Sequence, residues 1–354
     1  MPSIISHIAV FIIALAFLAK GSDYFVEYAA RIAKRLGVSD FVIGLTITSV
    51  GTSIPELAAA ISAAVNHSPG LIIGNVTGSN IANIGLILGI AAALRGIKTD
   101  RQMYERDGYI MLASILLFFW FSHDNKISLT ESIVFISAYV FYVLFLIRSD
   151  GETKRYRFHD FMSYIFDFQY IPPLNLPALK RAVQKPLRQR TPREQKAVKG
   201  YTWGVLKDLG IIVLSLVAVT LGARFLIREA VWMAELIKVP ESVIGLSMIA
   251  VGTSLPELTV SISAVRQGRG ELVVGNVLGS NIANVLLILG VSGSIIPLSV
   301  AEISVVYTIP ILLFFSLALI YFIKSNWRIT RRQGIVTILA YVVFMAMAFV
   351  MGWS

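Results

Sequence analysis

The chain has 354 residues, of which 56% are hydrophobic and only 15% charged, and its mean hydropathy is +0.74. An ordinary soluble domain is less apolar and carries roughly a quarter charged residues, so this composition excludes one and assigns most of the chain to lipid. There is no cysteine, which removes disulfides, thiolate nucleophiles and thiolate-bound zinc or iron–sulfur centres.

Crossing a hydrocarbon core takes about 20 apolar residues in a helix. Runs of that kind predict ten spans, at 3–20, 40–66, 70–94, 109–122, 128–147, 205–226, 241–266, 270–297, 303–323 and 334–352. The first lacks a basic n-region and a clear small-residue cleavage site, so it reads as a span rather than a signal peptide. The fourth is short. The second and seventh are interrupted by Thr52-Ser53-Ile54-Pro55-Glu56 and Thr253-Ser254-Leu255-Pro256-Glu257.

A net charge of +10 would suggest nucleic acid in a soluble protein, but here the cations follow topology. With the N-terminus outside, the inward segments hold Lys20, Arg31, Lys34 and Arg35, then Arg95, Lys98, Arg101 and Arg106, then the long stretch from Arg148 to Lys207. Arg266 and Arg269 follow, and then Lys324, Arg328, Arg331 and Arg332. Only Lys126, Arg224, Arg228 and Lys238 fall outside, a bias that the positive-inside rule explains and that supports the count of ten, since dropping one span would scramble it.

The chain repeats itself at an offset of 201 residues. Val50-Gly51-Thr52-Ser53, Pro55-Glu56-Leu57, Gly74-Asn75-Val76 and Gly78-Ser79-Asn80-Ile81-Ala82-Asn83 recur identically, without a gap, between Gly245 and Asn284. Each copy lies in a block of five spans, and an odd number of crossings delivers the second copy upside down. The sequence therefore predicts an all-α integral membrane fold of ten transmembrane helices in two inverted five-helix repeats. Residues 1–148 form the first repeat, 149–203 a cytoplasmic linker loop and 204–354 the second repeat. Inverted repeats place a substrate site near the midplane, at their interface.

Glu56 and Glu257 stand in mid-span, where an ionisable side chain costs a few kcal/mol or more unless it is paired. No Lys or Arg lies in either span interior, so the missing partner is best supplied by a cation, and two carboxylates match one Ca2+. Pro55 and Pro256 free backbone carbonyls, and Thr52, Ser53, Thr253 and Ser254 add hydroxyls beside the break. Ser79 and Asn83 share a helical face, as do Ser280 and Asn284. Asn75, Asn80, Asn276 and Asn281 read as braces for the freed backbone, and Gly74, Gly78, Gly275 and Gly279 as close-packing positions. An all-oxygen inventory suits Ca2+, and Na+, close to it in size, could compete for the same atoms.

In these motifs, GTSIPEL and GNVTGSNIAN followed by GTSLPEL and GNVLGSNIAN, the sequence resembles the calcium/cation antiporter superfamily, specifically its prokaryotic sodium/calcium exchangers. The resemblance implies four core helices, spans 2, 3, 7 and 8, with spans 1 and 6 sliding across them. It implies central ligands at Glu56, Glu257, Asn83 and Asn284, and sodium sites completed by Ser53, Ser254, Ser79, Ser280, Thr52 and Thr253 with the carbonyls of Ser49 and Ala250. Some relatives, including potassium-dependent ones, carry aspartate where this chain has Asn284, which lowers the expectation of potassium co-transport. Proton-coupled relatives usually have an acidic residue in the Ser-Asn-Ile-Ala-Asn segment, so sodium leads over proton as the counter-ion. Acid should still compete with calcium at two desolvated carboxylates.

The implied activity is secondary antiport of Ca2+ against Na+, not enzymatic turnover: phosphate-binding loops, histidine dyads and cofactor fingerprints are lacking. A proton-coupled exchanger of the same fold, or a cation channel, is the alternative, and flux coupling separates them. The expected partners are Ca2+, Na+ and the bilayer, with no cofactor, no nucleic acid and no obligatory protein partner. The expected location is a prokaryotic inner membrane with both termini outside. His7, His67, His123 and His159 read as ordinary interface or loop residues, and the aromatic stretch Phe161 to Phe166 with Phe168 as a short amphipathic segment along the interface.

Overall fold

The computed structural model describes residues 4–36, 39–149, 157–166, 192–236 and 254–350. Twelve helices can be numbered among them: α1 Ile4–Leu36, α2 Asp40–Thr52, α3 Ile54–Val65, α4 Pro69–Leu94, α5 spanning 103–121, α6 Leu129–Ser149, α7 Phe158–Phe166, α8 Pro192–Leu236, α9 Leu255–Arg266, α10 Gly270–Ile295, α11 Ser304–Lys324 and α12 Arg331–Val350. Seven are long and apolar enough to cross a membrane by themselves, and α2 with α3, bent by 42°, brings the number to eight when the pair is counted as one span.

The two remaining sequence-predicted spans fall short for separate reasons. The uniformly helical part of the fourth, Tyr109–Phe121, has 13 residues, and Glu105, Arg106 and Asp107 occupy the wider turn before it. The first half of the seventh, 241–253, lies outside the described residues, and its described portion is Ser254 with α9.

Three expectations are corrected. The first span does not stop at Lys20: α1 runs on to Leu36, so Lys20, Arg31, Lys34 and Arg35 are helical residues rather than loop residues. Arg106 is not a solvated loop cation. It is 1% exposed and paired with Asp107, its Nη2 lying 3.0 Å from Oδ2, and Tyr142 donates to the same carboxylate at 3.2 Å. The amphipathic segment, now α7, buries Phe161 and Tyr164 against Phe145 of α6, with ring centroids 5.3 and 5.5 Å apart. It is packed on protein, and Phe168 lies outside the described residues.

Burial separates the helices into a centre and a periphery. The apolar windows of α4 and α10 are 78% and 94% buried, against 28% for α1, α6, α8 and α12. The outer faces carry large apolar side chains such as Trp120, Leu214, Phe314 and Leu339, as lipid contact requires. α1 lies along α8, and the pair is fastened near both ends. Arg35 reaches Asp208 at 2.7 Å, and His7 meets Glu229 at 2.5 Å while stacking on Trp232 at 3.7 Å.

Two short antiparallel ladders close the ends of the bundle. β1 (Ile97–Lys98), after α4, pairs with β4 (Arg328–Ile329), before α12. β3 (Leu298–Ser299), after α10, pairs with β2 (Lys126–Ile127), before α6. Each ladder takes one strand from each half of the chain. Because α5 separates β1 from β2, the ladders stand at opposite ends of that helix.

Candidate ion-binding site

The interruption at Thr52–Ser53 has a local cause. Pro55 lacks an N–H and is tolerated only in the first turn of a helix, so α2 ends and α3 restarts around it. Ser53 sits at the joint with φ −85° and ψ 5°, and Ser254, before Pro256, has φ −92° and ψ 5°. Both joints use the sparsely allowed bridge region. Each restart places a glutamate, Glu56 or Glu257, in the first turn, where the helix dipole favours negative charge.

The opposite wall comes from α4 and α10, which each widen into a π-turn starting at an asparagine, Asn83–Leu88 and Asn284–Ile288. Single π-turns inside α-helices often mark functional positions because they redirect one side chain. α2 and α10 approach backbone to backbone at Gly44 and Gly275. A Cβ on Gly275 would fall 3.1 Å from the Gly44 Cα and would overlap the Phe41 carbonyl.

These elements bring together Glu56, Glu257, Asn83, Asn284, Ser53, Ser254, Ser79, Ser280, Thr52 and Ser49, all 5% exposed or less. Thr253 and Ala250 lie outside the described residues. The Ser53 hydroxyl is 3.1 Å from Ser280 Oγ and 3.3 Å from Glu257 Oε1, and the Ser254 hydroxyl is 3.5 Å from Ser79 Oγ. Thr52 donates to Asn276 Oδ1 at 3.3 Å. The two carboxyl groups are close enough to act on each other electrostatically. The Ser49 carbonyl is not left free by the break: it accepts from the Ser53 N–H at 3.1 Å and from Ser280 Oγ at 3.5 Å, which leaves it a partial ligand at most.

The bracing asparagines bond to backbone in part, as the sequence suggests, and to side chains as well. Asn75 does lean on backbone, the Glu56 carbonyl, at 3.5 Å. Asn80 Nδ2 likewise donates to a backbone carbonyl, that of Asn281, at 3.4 Å, and Asn80 and Asn281 also hold the amides of the opposite half: Asn284 Nδ2 donates to Asn80 Oδ1 at 2.9 Å, and Asn83 Nδ2 donates to Asn281 Oδ1 at 3.0 Å. Sequence reasoning also missed Met111, whose sulfur receives Asn281 Nδ2 at 3.7 Å. A lone methionine in an apolar run gives no signal of that contact.

Four oxygens in this cluster are buried with no hydrogen-bond donor among the described residues: Glu56 Oε2, Glu257 Oε2, Asn83 Oδ1 and Asn284 Oδ1. Buried acceptors left unpaired cost about 1–3 kcal/mol each, and more when charged. The ion pairs of the described residues all lie elsewhere, so no ammonium or guanidinium among them neutralises the glutamates. A hard cation would satisfy such a set. Among the described residues no cluster of three or more His, Cys, Asp or Glu is present, so the cluster has two carboxylates and otherwise neutral oxygens.

Known proteins resemble this chain over nearly its whole length. The sodium/calcium exchanger MaX1 of Methanosarcina acetivorans is 45% identical over 344 residues, covering 96% of this chain and 97% of that protein. The uncharacterized membrane protein MJ0091 of Methanocaldococcus jannaschii is 30% identical, covering 97% and 98%. The solved structure of the sodium-calcium exchanger NCX_Mj soaked with zero Na+ and Ca2+ superposes with a TM-score of 0.77 at 28% identity, covering 98% of this chain and 99% of that one. The family model described as sodium/calcium exchanger protein matches residues 6–148 and 207–350, and the chain therefore belongs to the sodium/calcium exchanger family, whose members are transporters rather than enzymes.

Proposed function

We propose that this protein exchanges Ca2+ for Na+ across a membrane by alternating access at the Glu56/Glu257 cluster. The observation that carries the reading is the set of four unpaired buried oxygens, two on carboxylates and two on amides, contributed equally by the two halves of the chain. Their formal charge of −2 matches one Ca2+, and the hydroxyls of Ser53, Ser254, Ser79, Ser280 and Thr52, with Thr253 and the carbonyls of Ser49 and Ala250, complete the oxygen shells for Na+. MaX1 and NCX_Mj are named as exchangers of the same two ions.

Alternating access rests on two inverted repeats within ten spans. Two features support the repeat, π-turns recurring at Asn83 and Asn284 and at Met103 and Ser304 and the reciprocal asparagine pairs, and a third supports its inversion, since the corresponding strands β1 and β3 stand at opposite ends of α5. The α1–α8 pair, weakly buried and fastened to itself at both ends, is suited to slide as one body over the central helices. With the basic segments inside, both termini face outward and the linker 149–203 faces the cytoplasm of a prokaryotic inner membrane.

The test is 45Ca2+ uptake into sodium-loaded proteoliposomes, compared with potassium loading and with an imposed pH gradient. Uptake that requires internal sodium supports the reading. Uptake driven by protons would replace the coupling ion, and uptake without any counter-ion gradient would make the protein a channel.

A further inference from the structure

We propose that the end of the bundle closed by β1 and β4 carries a binding site for a phosphate-bearing anion, separate from the ion site at the centre. A cavity of about 500 Å3 opens there between the strand after α4, the turn joining α9 to α10, and β4. That volume falls within the range of small-molecule sites. Arg95, Lys98, Arg269 and Arg328 line it, with only two carboxylates, Asp40 and Glu271.

The charges do not cancel within the cavity. Arg269 Nη1 is held by Asp40 Oδ2 at 2.9 Å, and its Nε is buried with no acceptor among the described residues. Arg95, Lys98 and Arg328 have no carboxylate within 4 Å among the described residues. The turn is shaped by Gly268, whose φ of +77° only glycine adopts without strain, and Arg95 Nη1 lies 3.5 Å from where its Cβ would be. α10 begins at this turn with no side-chain cap on its first N–H groups, so their partial positive charge adds to that of the guanidiniums.

The positive-inside rule accounts for basic residues on this side, but it says nothing about where on that side they gather. Here cations from both halves of the chain meet around one concave space, in an excess of two over the carboxylates. A phosphate monoester carries about −1.5 to −2 near neutral pH, and arginine forks suit its oxygens. Occupation would tie the end of α4 to the start of α10, the two helices that carry Ser79, Asn83, Ser280 and Asn284. The phosphate could belong to a lipid headgroup or to a soluble molecule, since in the proposed orientation this end faces the cytoplasm.

Calorimetric titration of the full chain in detergent with inorganic phosphate, and 45Ca2+ uptake in phosphatidylcholine vesicles with and without phosphatidic acid, test the idea. The comparison protein is the Arg95→Gln/Arg328→Gln double variant. Its folding is checked by size exclusion, and its central site by unchanged uptake in phosphatidylcholine alone. The expected result is at least a tenfold loss of phosphate affinity in the variant, or loss of the change in uptake caused by phosphatidic acid. The first outcome identifies a soluble ligand and the second a headgroup. Equal responses of wild type and variant in both arms, or a response to phosphate that equimolar chloride reproduces, would overturn the proposal. Because calorimetry needs no transport, failure here is distinguishable from failure of the exchange reading.

Discussion

Asn284 gives one amide hydrogen to Asn80 across the boundary between the two halves of the chain, at 2.9 Å, and Asn83 gives one to Asn281 at 3.0 Å. Each bond fixes which way the donor's amide is turned, so each Oδ1 is left buried without a donor among the described residues. The pair that orients the amides is thus distinct from the pair that the proposed ion site would use. Asn281→Ala should free the Asn83 amide to rotate and weaken Ca2+ binding about tenfold, on the order of one buried hydrogen bond. Asn281→Asp retains an acceptor and should keep more of the affinity. Equal affinities of the two variants, measured by Ca2+ titration, would count against an orienting role.

Glu56→Gln and Glu257→Gln each remove one charge from the cluster while keeping its size. A cation drawn into a buried site by two carboxylates should lose more than 100-fold in affinity when it faces one, about 3 kcal/mol, a magnitude usual for an unbalanced buried charge. Uptake of 45Ca2+ should fall to background in both variants. Retention in one alone would show that the two carboxylates are not equivalent ligands.

The candidate cluster was legible in the sequence because carboxylates and amides stand out against apolar spans, and because each motif occurs twice. Glu56 and Glu257 needed no structure to be found. What pairs across long separations was not legible. Lys20 and Asp23 interrupt an apolar run and read as the end of a span, yet α1 continues past them because backbone hydrogen bonding in a helix is indifferent to one or two polar side chains on an exposed face. Arg106 reads as a topology marker until its partner Asp107 is found bonded to Tyr142, 35 residues further along the chain. His7 reads as an interface residue because Glu229 and Trp232 are more than 200 residues away in sequence.

Asp23 also joins the peripheral pair to the centre. Ser263 of α9 donates to Asp23 Oδ1 at 2.6 Å, and Gln267 bridges the Ser263 hydroxyl at 3.1 Å and the Asp23 carbonyl at 3.3 Å. If α1 slides during transport, this contact must break. Hydrogen bonds to charged groups are worth about 1.5–3 kcal/mol, so Ser263→Ala should raise the population of the undocked state by tenfold or more. Amide hydrogen exchange in residues 255–267 should quicken accordingly. Unchanged exchange would mean that apolar packing, not this contact, holds α1 to α9.

The Gly44–Gly275 crossing sets how closely α2 and α10 approach, and with it the distance between Ser53 and Ser280. Gly275→Ala places a methyl group against the Phe41 carbonyl and 3.0 Å from the Leu45 nitrogen, both of them backbone atoms that cannot turn aside. The helices must separate, at a cost of about 1–3 kcal/mol from overpacking. A separation of even a few tenths of an ångström would also lengthen the 3.1 Å contact between Ser53 and Ser280. The variant should therefore melt several degrees lower and bind Ca2+ more weakly. Gly210→Ala on α8, where a Cβ meets nothing within 4 Å, should change neither. If Gly275→Ala lowered the melting temperature and left Ca2+ affinity intact, the crossing would hold the fold together without setting the geometry of the ion site.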